Sequence, residues 1–273
     1  MRRWRETGVV VGLIVGVLAS LVIGARALLS RQAAIARARI GKPLGETSID
    51  ADRVWRRSLV GEPVRLLLLG DSLAAGLGAG RRKETLGGRI SKALARTTSR
   101  PVQLRTAAVV GSESQALAGQ LDLLPADYRA DVAVIVVGGN DVTHMVSSET
   151  AARHLEQAIL RIAASGTAVV VGTCPDLGTL QAVPQLLRSL LSRRSKRMAA
   201  AQNRVALRAG AFPVSLGTEV GPVFRAEPEA MFSVDRFHPS AAGYRRTAEA
   251  LLPAILAALQ SPLPVAGQTP GLE

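Results

Sequence analysis

From Val64 onward, short runs of aliphatic residues alternate with longer stretches in which apolar residues return every three or four positions. The runs at 64–69, 102–110, 131–137, 167–172 and 212–216 predict five strands. The middle ones are apolar on both faces, as strands buried inside a parallel sheet must be. The periodic stretches at 85–98, 114–124, 149–164, 184–209 and 240–259 predict helices. Such alternation implies an α/β fold, a mostly parallel doubly wound sheet with helices on both faces. In sheets of this kind ligands bind where strands end at their carboxyl ends.

A different pattern precedes the alternation. Residues 8–25 carry no charge and are flanked by Arg2, Arg3 and Arg5 on one side and Arg26 on the other. Eighteen uncharged residues approach the ~20 of a spanning helix and exceed the ~7–15 of a signal-peptide core. A retained membrane anchor over residues 1–29 is therefore preferred to a signal peptide cleaved near Ala25-Arg26-Ala27. Gly8, Gly12, Gly16, Ser20 and Gly24 repeat every four residues. That stripe would let a second copy approach through Gly8, Gly12 and Gly16. Residues 30–60, Ala/Arg-rich and then broken by Gly41, Pro43 and Gly45, read as a juxtamembrane helix and linker without catalytic groups. The main domain is expected over 61–260, followed by a Gly/Pro-rich disordered tail at 261–273.

Composition narrows the partners. The formal charge of +13 suggests nucleic acid at first, but residues 1–60 hold eleven Arg/Lys against four Asp/Glu, so more than half of the excess surrounds the apolar segment. That distribution points to a membrane surface. Basic runs at Arg81-Arg82-Lys83 and Arg193-Arg194-Ser195-Lys196-Arg197 lack interleaved aromatics to stack bases, and nucleic acid is not the expected partner. They read as solvated faces. A lone cysteine, Cys174, excludes an internal disulfide framework and a cysteine-based metal site. Arginines on both sides of the apolar run leave orientation open, and an exported, extracytoplasmic domain is the expectation.

The chemistry concentrates in four places. Ser72 follows the first predicted strand within Gly70-Asp71-Ser72-Leu73, where a nucleophile would be exposed at a strand end. A serine needs a base and a carboxylate to orient that base. His238 follows Asp235 by three residues near the far end of the chain and supplies such a pair. The third strand ends in Gly138-Gly139-Asn140-Asp141, placing a neutral amide donor where it would suit an oxyanion, and Gly111 after the second strand offers a backbone N–H. Gly70-x-Ser72-x-Ala74 lacks the second glycine of the Gly-x-Ser-x-Gly elbow. Gly76, Gly78 and Gly80 miss the third glycine of a dinucleotide fingerprint, and no Gly-Lys-Ser/Thr phosphate loop occurs. His144 reads as a surface-loop residue and His154 as solvated. Leu77, Met145, Leu177, Val223 and Phe232 are candidates for apolar lining.

These blocks together resemble the SGNH (GDSL-type) hydrolases. Ser72 falls in the Gly-Asp-Ser-Leu block, Gly111 on the block II glycine, Asn140 in Gly-x-Asn-Asp and Asp235-x-x-His238 in the last block. The resemblance spans 64–259 and implies a three-layer α/β/α fold, ester cleavage without metal or organic cofactor, and an oxyanion hole formed by the Ser72 N–H, the Gly111 N–H and the Asn140 side chain. Thr106 departs from the pattern, since block II often carries Asn five residues before its glycine. The expected activity is a serine esterase acting on a lipid or acylated-glycan ester, with Ser72, His238 and Asp235 as triad. An acyltransferase using the same triad is the alternative, and a non-catalytic binding module is a third reading.

Overall fold

The structure, a computed structural model, describes residues 2–261, with side chains from Val15 onward. Most of the expected tail, residues 262–273, and the surroundings of Gly8 and Gly12 lie outside the described residues. Helix α1 (Arg2–Ile40) is followed by β1 (Val54–Trp55), β2 (Val64–Gly70), α2 (Ser72–Ala75), α3 (Leu86–Thr98), β3 (Val102–Thr106), α4 (Leu117–Asp122) and β4 (Val132–Val136). Then come α5 (Gly139–Thr143), α6 (Ser148–Ala163), β5 (Ala168–Gly172), α7 (Gln185–Arg208), β6 (Phe212–Val214), α8 (Leu216–Glu219), α9 (Gly221–Ala226), α10 (Pro228–Met231) and α11 (Ala241–Gln260).

The sheet has six strands, not the expected five, in the order β1, β3, β2, β4, β5, β6. The additional strand is β1, two residues inside the stretch read as linker, paired antiparallel with β3 at the edge. Two residues cannot display a period of two. The five expected strands are all parallel, β2 pairing with β3 on one side and β4 on the other. The chain therefore reverses its direction of winding between β2 and β4, and that switch point opens a crevice at their carboxyl ends.

Alternation along β2 builds both layers. Leu66 and Leu68 join one core with α3, α11 and the start of α7, while Leu67 and Leu69 join the other with α4, α6 and the end of α7. All four are essentially inaccessible, each contributing about 1.5–3 kcal/mol of burial.

Helix α1 runs unbroken through the expected anchor and the juxtamembrane stretch. It ends at Gly41, whose positive φ of 57° and N–H bond to the Arg37 carbonyl form a left-handed helix stop. Its described apolar portion is long and apolar enough to cross a membrane. There Val15, Leu18, Leu21 and Ile23 are each more than half exposed. Further on the character changes: Leu29, Ala33, Ala36 and Ile40, spaced three and four apart, pack against the domain core. Gln32 Oε1 accepts the Leu187 N–H at 2.8 Å, satisfying an orphan donor in the first turn of α7, whose Pro184 cap offers no side-chain acceptor.

Candidate active site

The turn that carries Ser72 is shaped by backbone crowding. Gly70 has φ 127°, and a Cβ there would lie 1.8 Å from the Val136 carbonyl oxygen. Only glycine lets β2 end so close to β4. Asp71 caps α2 by accepting the Leu73 N–H at 3.0 Å, which leaves Ser72 as the first helical residue, largely buried at the crevice floor. Behind the turn, Gln120 of α4 holds both backbone groups of Gly70: its Oε1 accepts the N–H at 2.9 Å and its Nε2 donates to the carbonyl at 2.7 Å.

His238 arrives on the loop before α11. Asp235 Oδ1 accepts the N–H groups of Phe237 and His238, each at 3.0 Å, closing a tight turn that Arg236 completes at φ 55°. Ser233 N–H donates to the His238 carbonyl, Ser240 caps α11, and the buried Tyr244 hydroxyl donates to the Leu77 carbonyl at 2.6 Å. The loop is thereby pinned to the turn that follows Ser72. His238 Nδ1 meets Asp235 Oδ2 at 2.6 Å, and its Nε2 meets Ser72 Oγ at 2.9 Å.

Electrostatics separate the carboxylates. Burial raises the Asp235 pKa, but bonds from the His238 ring and from two backbone N–H groups outweigh it, and the net shift is downward. Asp235 is thus ionised at neutral pH, as the partner of an imidazolium must be. Asp71, fully enclosed, is pushed up to about 6 by desolvation against the lowering effect of the Leu73 N–H and His238. Burial likewise raises Asp141, which stays the acceptor of the Ser114 N–H and hydroxyl at 3.0–3.1 Å.

Those bonds tie the loop carrying Gly111 to α5, which carries Asn140. Asn140 Nδ2 donates one hydrogen to the Ser112 carbonyl at 2.9 Å, leaving its second on a residue that lines the same cleft as Ser72. Gly111 also lines that cleft at φ 83°, with open space where a Cβ would project. Thr106, at the place where the pattern often has Asn, donates its backbone N–H to Asp52 Oδ2. All five candidate residues, Ser72, Gly111, Asn140, Asp235 and His238, border one cleft of about 860 Å³.

Several surroundings differ from expectation. Leu77 and Met145 line this cleft, whereas Leu177 and Phe232 line a separate cavity of about 60 Å³ and Val223 packs against the core. His144 is exposed yet reaches the cleft edge, where Nδ1 meets Glu113 Oε1 at 2.7 Å. Cys174 is buried and free. Arg81, Arg82 and Lys83 border a different surface, with Arg53, Arg56 and Lys92 around Trp55. Residues 33–46, from the stretch read as a juxtamembrane helix and linker without catalytic groups, supply one side of the cleft. Sequence reasoning also missed Gln120 and its counterpart Gln202, which bridges the β4 and β5 ends by donating to the Val137 carbonyl and accepting the Cys174 N–H. A single Gln on an amphipathic helix gives no signal of such a task.

Known proteins resemble this chain in sequence and in fold. The model of the GDSL-like lipase/acylhydrolase family matches residues 68–246. A GDSL-like esterase of Mycobacterium tuberculosis is 40% identical over 254 residues, covering 89% of this chain and 80% of that protein. An alpha/beta hydrolase from the metagenome of Lake Arreo superposes with TM-score 0.59 at 19% identity, covering 74% of this chain and 99% of its own. An acetylxylan esterase from Geobacillus stearothermophilus gives 0.58 at 18%, covering 72% and 95%. The last two are likenesses of fold. Residues 33–46 lie outside the span matched by the family model.

Proposed function

The chain belongs to the GDSL-like lipase/acylhydrolase family and is a carboxylic ester hydrolase, and we propose that it works as a membrane-anchored serine esterase on a lipid or acylated-glycan ester. The observation that carries the mechanism is His238 standing between Ser72 Oγ at 2.9 Å and Asp235 at 2.6 Å. Ser72 Oγ attacks the ester carbonyl while His238 Nε2 takes its proton. Asp235 holds the ring by Nδ1 and stabilises the imidazolium. The N–H groups of Ser72 and Gly111 and the Asn140 amide meet the tetrahedral oxyanion, a charge present only on the way to product. Collapse returns the proton from His238 to the departing alcohol, and a water activated by the same ring releases the acid. The relatives carry the names of esterases, which favours water over an alcohol as second nucleophile.

A fluorophosphonate should label Ser72 in the wild type, and Ser72→Ala should lose both the label and about 10⁴-fold or more in kcat. Turnover persisting in that variant would place the nucleophile elsewhere. The anchor belongs to the same reading: residues 8–25 lie in the bilayer and the hydrolase domain lies on the extracytoplasmic side. Its support is the more than half exposed aliphatic surface from Val15 to Ile23, an uncommon surface for water to meet. Protease added to intact cells should degrade the domain, and full protection would reverse the orientation.

A further inference from the structure

The cleft that holds Ser72 has two aliphatic sides of different origin. One comes from the domain itself: Leu180, Val183, Leu187 and Leu191, before and along the first turns of α7, all buried. Facing them are Ala33, Ala36 and Ile40 of α1. With Arg37 these positions follow the i, i+3, i+4, i+7 pattern of one helix face. The Gln32 to Leu187 bond and an Arg39 bond to the Ala182 carbonyl at 3.4 Å fasten that face to the opposite wall. It is therefore a fixed side of the cleft rather than a passing tether.

The residue types on the two walls are informative. Two alanines opposite a row of Leu and Val leave an apolar slot, bordered on the solvent side by the exposed Arg37 and Lys42. Ligand sites use such apolar lining to bury hydrocarbon, with a few polar groups fixing orientation. With residues 8–25 in the bilayer, as proposed above, Ala33 would stand close to it. At 1.5 Å per residue it lies about 12 Å along the helix from Ala25, the end of the uncharged run, while the headgroup layer of one leaflet is about 5–7 Å thick.

We propose that the C-terminal third of α1 is the acyl-chain wall of the esterase: the helix that anchors the protein also sets how long an aliphatic acyl group the Ser72 site accepts. The inference rests on Ser72 being the nucleophile and names the part of the substrate that the cleft selects, a medium or long aliphatic chain rather than an acetyl group.

The test uses the full chain in detergent and a series of chromogenic esters from acetyl to dodecanoyl, with fluorophosphonate labelling of Ser72 reporting an intact site. Ala33→Phe, which fills the slot, should lower the ratio of dodecanoyl to acetyl kcat/KM by about tenfold or more. Ile40→Ala, which removes aliphatic contact, should lower it by about threefold. Ala34→Phe, one residue away but exposed on another side of the helix, should leave the ratio within about twofold. An unchanged ratio in both cleft variants, or an equal shift in Ala34→Phe, would overturn the proposal. If Ala33→Phe no longer takes the label, Ile40→Ala decides alone. Failure of the underlying reading has a separate signature, a wild type that hydrolyses esters without labelling at Ser72.

Discussion

At the strand ends, each group proposed to meet the reacting atoms sits on a segment fixed by short polar bonds: the Ser72 turn by Gln120 at Gly70, Asn140 by the Ser112 carbonyl, the Gly111 loop by Asp141, and His238 by Asp235. Across the same cleft, Ala33, Ala36 and Ile40 of α1 present aliphatic surface and no polar side-chain atom. One region is a set of donors and acceptors whose geometry must hold to a few tenths of an ångström. The other is a surface whose shape alone matters. Losses in the first should therefore fall on turnover, and losses in the second on chain-length selection and stability.

The largest expected separation is at Asn140. Truncating its side chain to a methyl group removes the proposed oxyanion donor, and Asn140→Ala should lower kcat by about 10²–10³. KM should move little, because a donor specific to the transition state contributes little to substrate binding. Steady-state kinetics on an acetyl ester decide this. A loss of only a few-fold would remove Asn140 from the oxyanion hole and blur the contrast between the two sides.

The same contrast explains what was legible in the sequence. Ser72, Asn140, Asp235 and His238 could be read because each sits in a block of three or four residues whose backbone geometry is local: a glycine that must approach a neighbouring strand, or a carboxylate that accepts from residues two and three further on. The five parallel strands were legible for a similar reason, since burial on both faces leaves an uninterrupted aliphatic run. Strand β1 has two residues and no period. The lining role of α1 has no local signature at all, because Ala33, Ala36 and Ile40 acquire it only when α1 lies against α7, more than 140 residues away in sequence. Gln120 and Gln202 are the polar version of the same blindness. Their partners are strand ends that only the folded sheet brings near.

A smaller effect follows from the enclosed carboxyl beside Ser72. Asp71 titrates at about 6 in the folded protein because burial disfavours its charge, against ~3.9 in the unfolded chain. Between those pH values the folded state keeps a proton that the unfolded state has released, so this group makes stability fall as pH rises from about 4 to 6. Asp71→Asn removes that dependence and keeps an oxygen to accept the Leu73 N–H. Relative to wild type, the variant should gain stability across the same window, by up to about 3 kcal/mol at pH 7. Thermal melts at pH 4, 5, 6 and 7 measure it. A wild-type minus variant difference that stays flat over this range would mean that Asp71 is ionised throughout.

The smallest effect separates a tether from a wall. If α1 served only to hold the domain at the membrane, its Gln32 could change without consequence for the fold. The structure gives Gln32 a partner instead, the Leu187 N–H at 2.8 Å, in a helix whose own cap residue is Pro184. Loss of an acceptor for such a donor costs about 1 kcal/mol, which corresponds to about 2–4 °C in Tm for a domain of this size. Gln32→Ala should show that drop with kcat on an acetyl ester nearly unchanged, because none of the bonds that hold Ser72, Asn140 or His238 passes through α1. An unchanged Tm would detach α1 from α7 and return the segment to the linker that its sequence suggests. A loss of kcat comparable to that of Asn140→Ala would instead show that the two sides of the cleft are not separable.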